Sequence, residues 1–355
     1  MRTEKITALF LTILLSLTGC QSAGNSSVPE SAPPVSEQSG ADSPPNNSES
    51  PPISQNDWEG EINNGVLVLD DGRGIMLYGS SSGYENGRSY AASVNKYKEQ
   101  MGANVNVYSM MIPSQVTFYM PEIYFEEGVS DRELPHIDDI NDRLNGVISI
   151  DVYDALKSHV GEEIYYRTDH HWTQLGAYYA AQSFARTAQT PFDELSEYDK
   201  HERSGFLGTL YGTSKENPLM KKAPDTFTWY VPKRTADTTY YNTKCEDARE
   251  GSYFKNASEL DEDKWDMVYA PDGAITYVNT GLNTGRRLMI VGDSFTWAFA
   301  PCLFGSFDDI WIIDLRVCDV SAAQLAKDNG VTDLLFCMSV SCATTDIQEK
   351  LEKIM

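Results

Sequence analysis

The sequence predicts an α/β fold built on a central, mostly parallel sheet, with a β-rich insertion in its second half. Strand and helix patterns alternate at both ends of the folded region, and such alternation is typical of parallel sheets. The clearest run is strand 287–291, helix 295–304, strand 309–314, helix 321–329 and strand 331–338. A hydrophobic content of 41% is normal for a globular core.

The first elements of the folded region are a β-hairpin followed by a strand–helix–strand pattern. Apolar segments at 65–69 and 74–78 flank an Asp-Asp-Gly turn, which favours a hairpin. Apolar residues recur at helical spacing in 88–101, and 105–112 is an apolar strand. These lengths suit a strand that is connected to its parallel neighbour through a helix.

The second unit continues the alternation and leads into the first stretch that carries chemistry. Thr173 is a favourable residue for the N-terminus of a helix. The predicted elements are helix 137–144, strand 146–151, helix 152–159, strand 163–167 and helix 174–185.

Between residues 193 and 283 the pattern changes. Tyr, Thr, Trp and Lys alternate there, and Gly and Pro interrupt the sequence. We interpret this region as a β-rich insertion with a flexible piece near 233–263. It could cover a site and exclude water, or it could be a purely structural flap.

The N-terminus predicts export. Arg2 and Lys5 precede an apolar run, 6–17, that is too short to span a bilayer and is typical of a secretory signal. The run ends in Leu-Thr-Gly-Cys20, which resembles a bacterial lipobox. An ordinary signal peptide with a chance cysteine is the alternative.

These features predict three regions. Residues 1–19 form a lipoprotein signal peptide, 20–56 a disordered Ser- and Pro-rich tether, and 57–355 a folded domain. Lipidation of Cys20 would anchor the protein to the cell membrane on its extracytoplasmic side.

Charge and cysteine content exclude some classes of function. A formal net charge of −24 repels phosphate backbones, so we expect no nucleic-acid partner. Five cysteines remain besides Cys20, and because this number is odd at least one thiol is unpaired. The sequence contains no Cys-x-x-Cys pair, the pattern that would indicate a structural zinc site. We expect no metal and no cofactor.

A candidate nucleophile lies at the end of a buried strand. Gly292-Asp293-Ser294 follows 287–291 and leads into a helix, so the serine should project from the carboxyl edge of the sheet, where ligands bind. The backbone N–H of Ser294 could then face a developing oxyanion. A plain helix cap is the alternative role for this serine.

The candidate acid and base lie in Thr168-Asp169-His170-His171-Trp172. In an extended segment, residues two apart share a face, so Asp169 should orient His171 while His170 points away. A metal site at the Asp-His-His cluster is the rival interpretation. We expect Trp172 to pack against the following helix.

The sequence resembles the DHHW family of Gram-positive bacteria through Arg-Thr-Asp-His-His-Trp-Thr-Gln-Leu-Gly at 167–176. That family is similar to the alginate O-acetyltransferase proteins, whose matching motif is Thr-Asp-x-His-Trp. The stretches 65–78, 205–211 and 291–316 also fit. The resemblance implies an SGNH-like, flavodoxin-like three-layer sandwich with a Ser/His/Asp triad.

Carried onto this chain, the resemblance implies that Ser294 is the nucleophile, His171 the base and Asp169 the orienting acid. Related sequences often have Lys-Asp-Ser-Tyr where this chain has Gly292-Asp293-Ser294-Phe295, so one hydroxyl is missing. Gly292, Asp293 and Arg316 are candidate substrate or oxyanion contacts. Arg316 could instead form a structural pair with Asp314.

Two classes of function follow. The first is an O-acetyltransferase, or an acetylesterase, that acts on an extracellular polysaccharide; relatives often work beside a membrane-bound O-acyltransferase, which would then be a partner. The second is a non-catalytic glycan-binding or assembly lipoprotein with the same fold. Aromatic residues of the insertion could stack on sugars in either case, namely Trp229, Tyr230, Tyr240 and Tyr241.

Overall fold

A computed structural model of the protein describes residues 60–79, 82–256, 268–269 and 273–355. The proposed signal peptide, Cys20, the tether 20–56 and part of the 233–263 segment lie outside these residues. The strands are β1 Gly60–Asn63, β2 Val66–Leu69, β3 Gly74–Met76, β4 Asn106–Ile112, β5 Ile148–Ile150, β6 Tyr198–Phe206, β7 Asp225–Pro232, β8 Asp237–Tyr241, β9 Arg249–Gly251, β10 Ile275–Asn279, β11 Arg287–Gly292, β12 Asp309–Asp314 and β13 Asp333–Ser339.

Helices alternate with the strands through most of the chain. They are α1 Gly83–Met101, α2 Gln115–Tyr119, α3 Glu122–Glu126, α4 Leu134–Asn141, α5 Tyr153–Lys157, α6 Gln174–Ala188, α7 Thr209–Thr213, α8 Pro218–Lys222, α9 Thr296–Phe299, α10 Ala322–Asp328, α11 Val340–Ala343 and α12 Gln348–Lys353. Thr173 caps α6 as predicted, since its side chain accepts a hydrogen bond from the N–H of Gly176. None of the helices in the described ranges has the length and apolar character needed to cross a bilayer.

The central sheet has eight strands in the order β5-β4-β13-β11-β12-β10-β8-β9. The strands from β5 to β12 run parallel, and β10, β8 and β9 extend the sheet in antiparallel fashion. The prediction of a central, mostly parallel sheet is therefore confirmed.

Both faces of this sheet are covered, which gives three layers. Successive side chains of β11 point to opposite faces: Met289 and Val291 pack with α1, α10 and α12, whereas Leu288 and Ile290 pack with α6 and α9. Because parallel strands are buried on two sides, their sequences are continuous apolar runs rather than alternating ones.

The region 193–283 contains β6 to β10 and two short helices, α7 and α8. Strands β6 and β7 form an antiparallel pair, whereas β8, β9 and β10 belong to the central sheet instead of a separate flap. Phe206 and Phe227 of the β6–β7 pair are buried in the core cluster that contains α6. This pair therefore lies against the same layer as the segment that carries His171.

Two sequence-based expectations about local structure were wrong. Residues 163–167 form no strand; the segment has one isolated bridge, between Tyr165 and Trp172. The helix predicted at 295–304 is only α9, four residues long, followed by a short 3-10 turn, Ala300–Leu303. Pro301 ends regular helix there because it supplies no N–H donor.

We predict that Phe184→Ala lowers the free energy of unfolding by about 3–5 kcal/mol, because it leaves a cavity under the sheet. Phe184 is fully buried on α6 and its ring contacts those of Tyr108 and Phe307. Urea denaturation followed by circular dichroism measures the change. Gln182→Ala, on the exposed face of the same helix, should change stability by less than about 0.5 kcal/mol; equal losses would contradict this account of the core.

Candidate active site

The first key stretch lies at the tip of a tight turn between residues 164 and 173. The N–H of Thr173 donates to the carbonyl of Ile164 (3.0 Å), which closes the base of this turn. The buried carboxylate of Asp225, at the start of β7, accepts hydrogen bonds from the N–H groups of Arg167 and Thr168, both at 2.8 Å. Asp225 therefore fixes the backbone immediately before Asp169.

The carboxylate of Asp169 is buried and receives four hydrogen bonds. Oδ1 accepts from the backbone N–H of His171 (2.9 Å) and from His171 Nδ1 (2.7 Å). Oδ2 accepts from the N–H and the hydroxyl of Thr209, both at 2.8 Å. Burial by itself would raise the pKa of Asp169, but the charges of both histidines and these hydrogen bonds hold it well below its usual range. The group is therefore ionised at neutral pH.

Gly208 allows Thr209 to come this close. A Cβ atom at Gly208 would lie 2.3 Å from the Cβ of Asp169, so no larger residue fits there without moving the backbone. The stretch 205–211 resembles relatives, but nothing in it assigns a role to Gly208 or Thr209. The sequence gives no signal for Asp225 either, because an isolated aspartate at the start of a strand is common.

The structure brings His171 and Ser294 together although 123 residues separate them. His171 Nε2 lies 2.7 Å from Ser294 Oγ, and His171 Nδ1 lies 2.7 Å from Asp169 Oδ1. Because an ionised carboxylate only accepts, the proton of neutral His171 is on Nδ1 and Nε2 accepts from the serine hydroxyl. This is the hydrogen-bond order of an activated serine nucleophile.

Ser294 lies two residues beyond the end of β11, at the carboxyl edge of the sheet. Gly292 is sealed in the sheet, because a Cβ there would lie 2.2 Å from the carbonyl oxygen of Cys337. Asp293 is also buried: Oδ1 accepts from the N–H of Phe295, and Oδ2 accepts from the N–H and hydroxyl of Ser339. Both residues are buried and shape the turn that presents Ser294.

Phe295 and Trp172 connect the two halves of the site. The Phe295 ring is buried 4.9 Å from the ring of His171 and 5.5 Å from that of Trp172. Trp172 Nε1 donates to the carbonyl of Phe295 at 3.1 Å. The side chain at 295 therefore packs beneath His171, and Trp172 packs against α9 rather than only against the helix that follows it.

His170 does not point away from His171, as the extended-strand argument had suggested. The two ring centroids are 3.8 Å apart, because the chain turns at Asp169 instead of running straight. His170 Nδ1 lies 2.6 Å from the Thr209 hydroxyl. Partial burial, together with the nearby charge of His171, lowers the pKa of His170 to about 4.

Arg316 forms a two-bond pair with Asp314, at 2.9 and 2.7 Å, which is the structural role considered from the sequence. Its guanidinium also lies 5.6 Å from the centre of the Trp297 ring. Its charge contributes to the lowered pKa of His170, so it lies within electrostatic range of the site.

A pocket of about 360 Å³ opens beside Ser294 and His171. Its walls are mainly aromatic and include Tyr166, Phe227 and Trp297. Tyr166 and Phe227 stack with their ring centroids 5.5 Å apart. Such walls suit an apolar group that is attached to the serine oxygen.

Asp169, His170 and His171 are also the side chains that could hold a metal ion. One ligand atom from each lies within 4.8 Å of the others. However, Asp169 Oδ1 and both ring nitrogens of His171 already form hydrogen bonds within the site. A metal ion there would have to replace the contacts that connect His171 to Asp169 and Ser294.

The three layers define an α/β protein with a mostly parallel central sheet, and Ser294, His171 and Asp169 lie together at the edge of that sheet. A family model described as "DHHW protein" matches residues 39–313. The chain belongs to this DHHW family.

Three solved structures are similar to this chain. A DHHW family protein from Eubacterium siraeum is 37% identical with a TM-score of 0.76, over 83% of this chain and 97% of that chain. Bacillus cereus PatB1, solved with a sulfonyl adduct, is 17% identical with a TM-score of 0.64, over 82% of this chain and 98% of that chain, a likeness of fold. The O-acetyltransferase domain of Pseudomonas putida AlgJ is 12% identical with a TM-score of 0.44, over 81% and 93%. The comparison with curated proteins gave no match.

We predict that the pKa of His170, measured by NMR titration, lies near 4 and rises in Arg316→Gln, because a positive charge is removed. Arg316→Lys keeps the charge and should leave the value close to that of the wild type. An unchanged pKa in the Gln variant would show that the charge of Arg316 does not reach this ring.

The lowered pKa of His170 also makes the free energy of unfolding depend on pH. The folded-state pKa of His170 lies below its ordinary value of about 6.5, so the unfolded chain binds this proton first as the pH falls. The contribution of His170 to stability is therefore complete above pH 6.5 and is lost as the pH falls towards 4.

Proposed function

We propose that the protein is an acyl-transfer enzyme that uses Ser294 as nucleophile, and that it acts as an O-acetyltransferase, or acetylesterase, on an extracellular polysaccharide. The observation that carries this proposal is the unbroken series of hydrogen bonds from Asp169 through His171 to Ser294 Oγ, both links being 2.7 Å long. A protein that only bound glycan would have no need of this contact between a base and a hydroxyl.

In the first half of the reaction, His171 Nε2 takes the proton of Ser294 as Oγ attacks the carbonyl carbon of an acyl donor. The tetrahedral intermediate collapses when the bond to the leaving group breaks. His171 gives its proton to that leaving group, and the acyl group remains on Ser294 as an ester. Asp169 stays ionised throughout and stabilises the positive charge on His171.

In the second half, a hydroxyl of the acceptor takes the place of the leaving group. His171 removes the hydroxyl proton while its oxygen attacks the acyl carbon, and the proton returns to Ser294 Oγ when the serine ester bond breaks. If the acceptor is a sugar, the acyl group is transferred; if it is water, the ester is hydrolysed. Every proton is handled by groups of the chain, so the mechanism requires no cofactor.

The backbone N–H of Ser294 is the first candidate for the oxyanion donor. Among the described residues it has no acceptor for its hydrogen bond, so it is available to a substrate oxygen. The helix that follows Ser294 has only four residues, so it adds little dipole field. Stabilisation of the oxyanion would therefore depend on individual N–H donors, each worth about a hundredfold or more in rate.

The pocket beside Ser294 supports a short acyl group. Its aromatic walls, with Phe227 and Trp297, provide apolar contacts in about 360 Å³, and much of this space is open to solvent. An acetyl group needs a small apolar surface of this kind, whereas a long acyl chain needs a deep tunnel. This is why we propose acetyl transfer.

We further propose that lipidated Cys20 anchors the enzyme outside the cytoplasmic membrane, where a membrane-bound O-acyltransferase would supply the acetyl group. The support is the order of charged, apolar and small residues before Cys20.

Replacing Ser294 or His171 by Ala should lower the release of acetate from p-nitrophenyl acetate at least about a thousandfold. The reason is that either change removes the activated hydroxyl. The Ser294 variant should also lose covalent labelling by a sulfonyl fluoride, read by mass spectrometry. The matched control is His201→Ala, an exposed histidine of β6, which should keep its activity. Unchanged acetate release in the Ser294 variant would refute the proposed nucleophile.

Cys20→Ser should move the protein from the membrane fraction to the soluble extracytoplasmic fraction, because no acyl chain can be attached. Fractionation and immunoblotting measure this, and Ser22→Ala serves as the control. A Cys20→Ser protein that stayed with the membrane would contradict anchoring through this cysteine.

A further inference from the structure

The hydrogen bonds around Thr209 determine which nitrogen of His170 carries the proton. The Thr209 hydroxyl has one proton to donate, and it lies 2.8 Å from Asp169 Oδ2 and 2.6 Å from His170 Nδ1. If the hydroxyl donated to His170, a lone pair of the Thr209 oxygen would face a lone pair of Asp169 Oδ2, and this carboxylate is negatively charged. The hydroxyl therefore donates to Asp169 and accepts from His170 Nδ1–H.

This assignment leaves His170 Nε2 with a free lone pair. A pKa near 4 keeps the ring neutral at physiological pH, and a neutral imidazole has only one N–H. Within the described parts of the chain, no group hydrogen-bonds to Nε2, and 38% of the His170 side chain is exposed. His170 thus has an acceptor atom that no described group occupies, on a side chain that is partly exposed.

The ring that carries this acceptor atom lies beside the proposed base, His171. The ring of His170 is tilted against the ring of His171, with a centroid distance of 3.8 Å, so it is next to the proposed base. Trp297 lines both the pocket at Ser294 and an open groove of about 1210 Å³ that includes Asp314 and Arg249. The guanidinium of Arg316 lies over the Trp297 ring, and its positive charge contributes to the lowered pKa of His170. Arg316 is therefore close to both residues. His171 lines the pocket at Ser294, and the ring of His170 lies directly beside that of His171.

We propose that His170 binds the acceptor of the transfer reaction: its Nε2 accepts a hydrogen bond from one hydroxyl of the acceptor while His171 deprotonates the hydroxyl on the adjacent carbon. This inference rests on the proposed acyl-transfer function. The acceptor class is a polyol with neighbouring hydroxyls, as on a sugar ring. Water has no second hydroxyl and cannot make both contacts.

The consequence is a preference for transfer over hydrolysis. The attacking hydroxyl loses its proton to His171 Nε2, its oxygen bonds to the acyl carbon, and the ester bond to Ser294 Oγ breaks as that oxygen regains the proton. The second hydroxyl keeps its own proton and only donates to His170 Nε2. His170 is therefore a residue that positions the acceptor and takes no proton.

Two substitutions separate the role of Nε2 from the role of the Thr209 contact. His170→Asn retains a donor near the position of Nδ1 but has no atom at the position of Nε2. His170→Gln reaches the position of Nε2 with an oxygen that can accept. Only the acceptor hypothesis predicts that Gln preserves transfer better than Asn.

The experiment uses the full-length protein purified in detergent, with p-nitrophenyl acetate as donor and either glycerol or 1-propanol as acceptor. Glycerol has neighbouring hydroxyls and 1-propanol has one. Chromatography gives the ratio of acetyl ester to free acetate. Both products come from the same acyl-serine, so this ratio is independent of the rate at which the acyl-enzyme forms. His201→Ala is the control and should keep the wild-type ratio.

In the wild type we expect glycerol to be a better acceptor than 1-propanol. The glycerol ratio should fall about five- to tenfold in His170→Asn, as expected for the loss of one net hydrogen bond, and recover in part in His170→Gln. An equal use of glycerol and 1-propanol by the wild type, or an unchanged glycerol ratio in His170→Asn, overturns the proposal. If Ser294 forms no acyl-enzyme, as read by mass spectrometry of the quenched protein, the proposed function itself fails.

Discussion

The buried negative charge of Asp169 is the constraint on which the site depends. A carboxylate removed from water is tolerated only when its oxygens are fully hydrogen-bonded, since an unpaired buried charge costs several kcal/mol. Asp169 meets this requirement with donors from two segments, His171 in its own turn and Thr209 from the insertion. The side-chain amide of Gln115 adds a third segment by donating to the Asp169 carbonyl oxygen. The orientation of His171 therefore depends on contacts between segments that are far apart in the sequence.

Much of the fold follows from patterns that are local in sequence. The apolar runs of β4, β11, β12 and β13 have the length and continuity of strands buried on two sides, and the helices between them are amphipathic or rich in alanine. Ser294 could be placed at the carboxyl edge because a Gly-Asp-Ser turn after a buried strand permits few other positions. The spacing of Asp169 and His171 also predicted their contact, although the backbone that joins them is a turn and not the extended segment assumed.

The remaining features depend on contacts that spacing does not encode. Asp169 and His171 meet through a tight turn, not through an extended strand, and this difference places His170 beside the base. The contributions of Thr209 and Asp225 arise from an insertion whose docking cannot be inferred from its own composition. The short α9 was overestimated because apolar periodicity continues past Pro301, where the backbone can no longer donate.

The position of β13 has a consequence for how the molecule is assembled. This strand is the last of the described strands, yet it lies between β4 and β11 in the middle of the sheet. Ser339, at its end, supplies two of the donors that hold the carboxylate of Asp293 next to Ser294. During synthesis Asp169 and His171 therefore emerge long before Ser339 can complete the turn that holds Ser294. A chain that ended before β13 would contain Asp169, His171 and Ser294 but would lack the two Ser339 donors that hold the turn at Ser294.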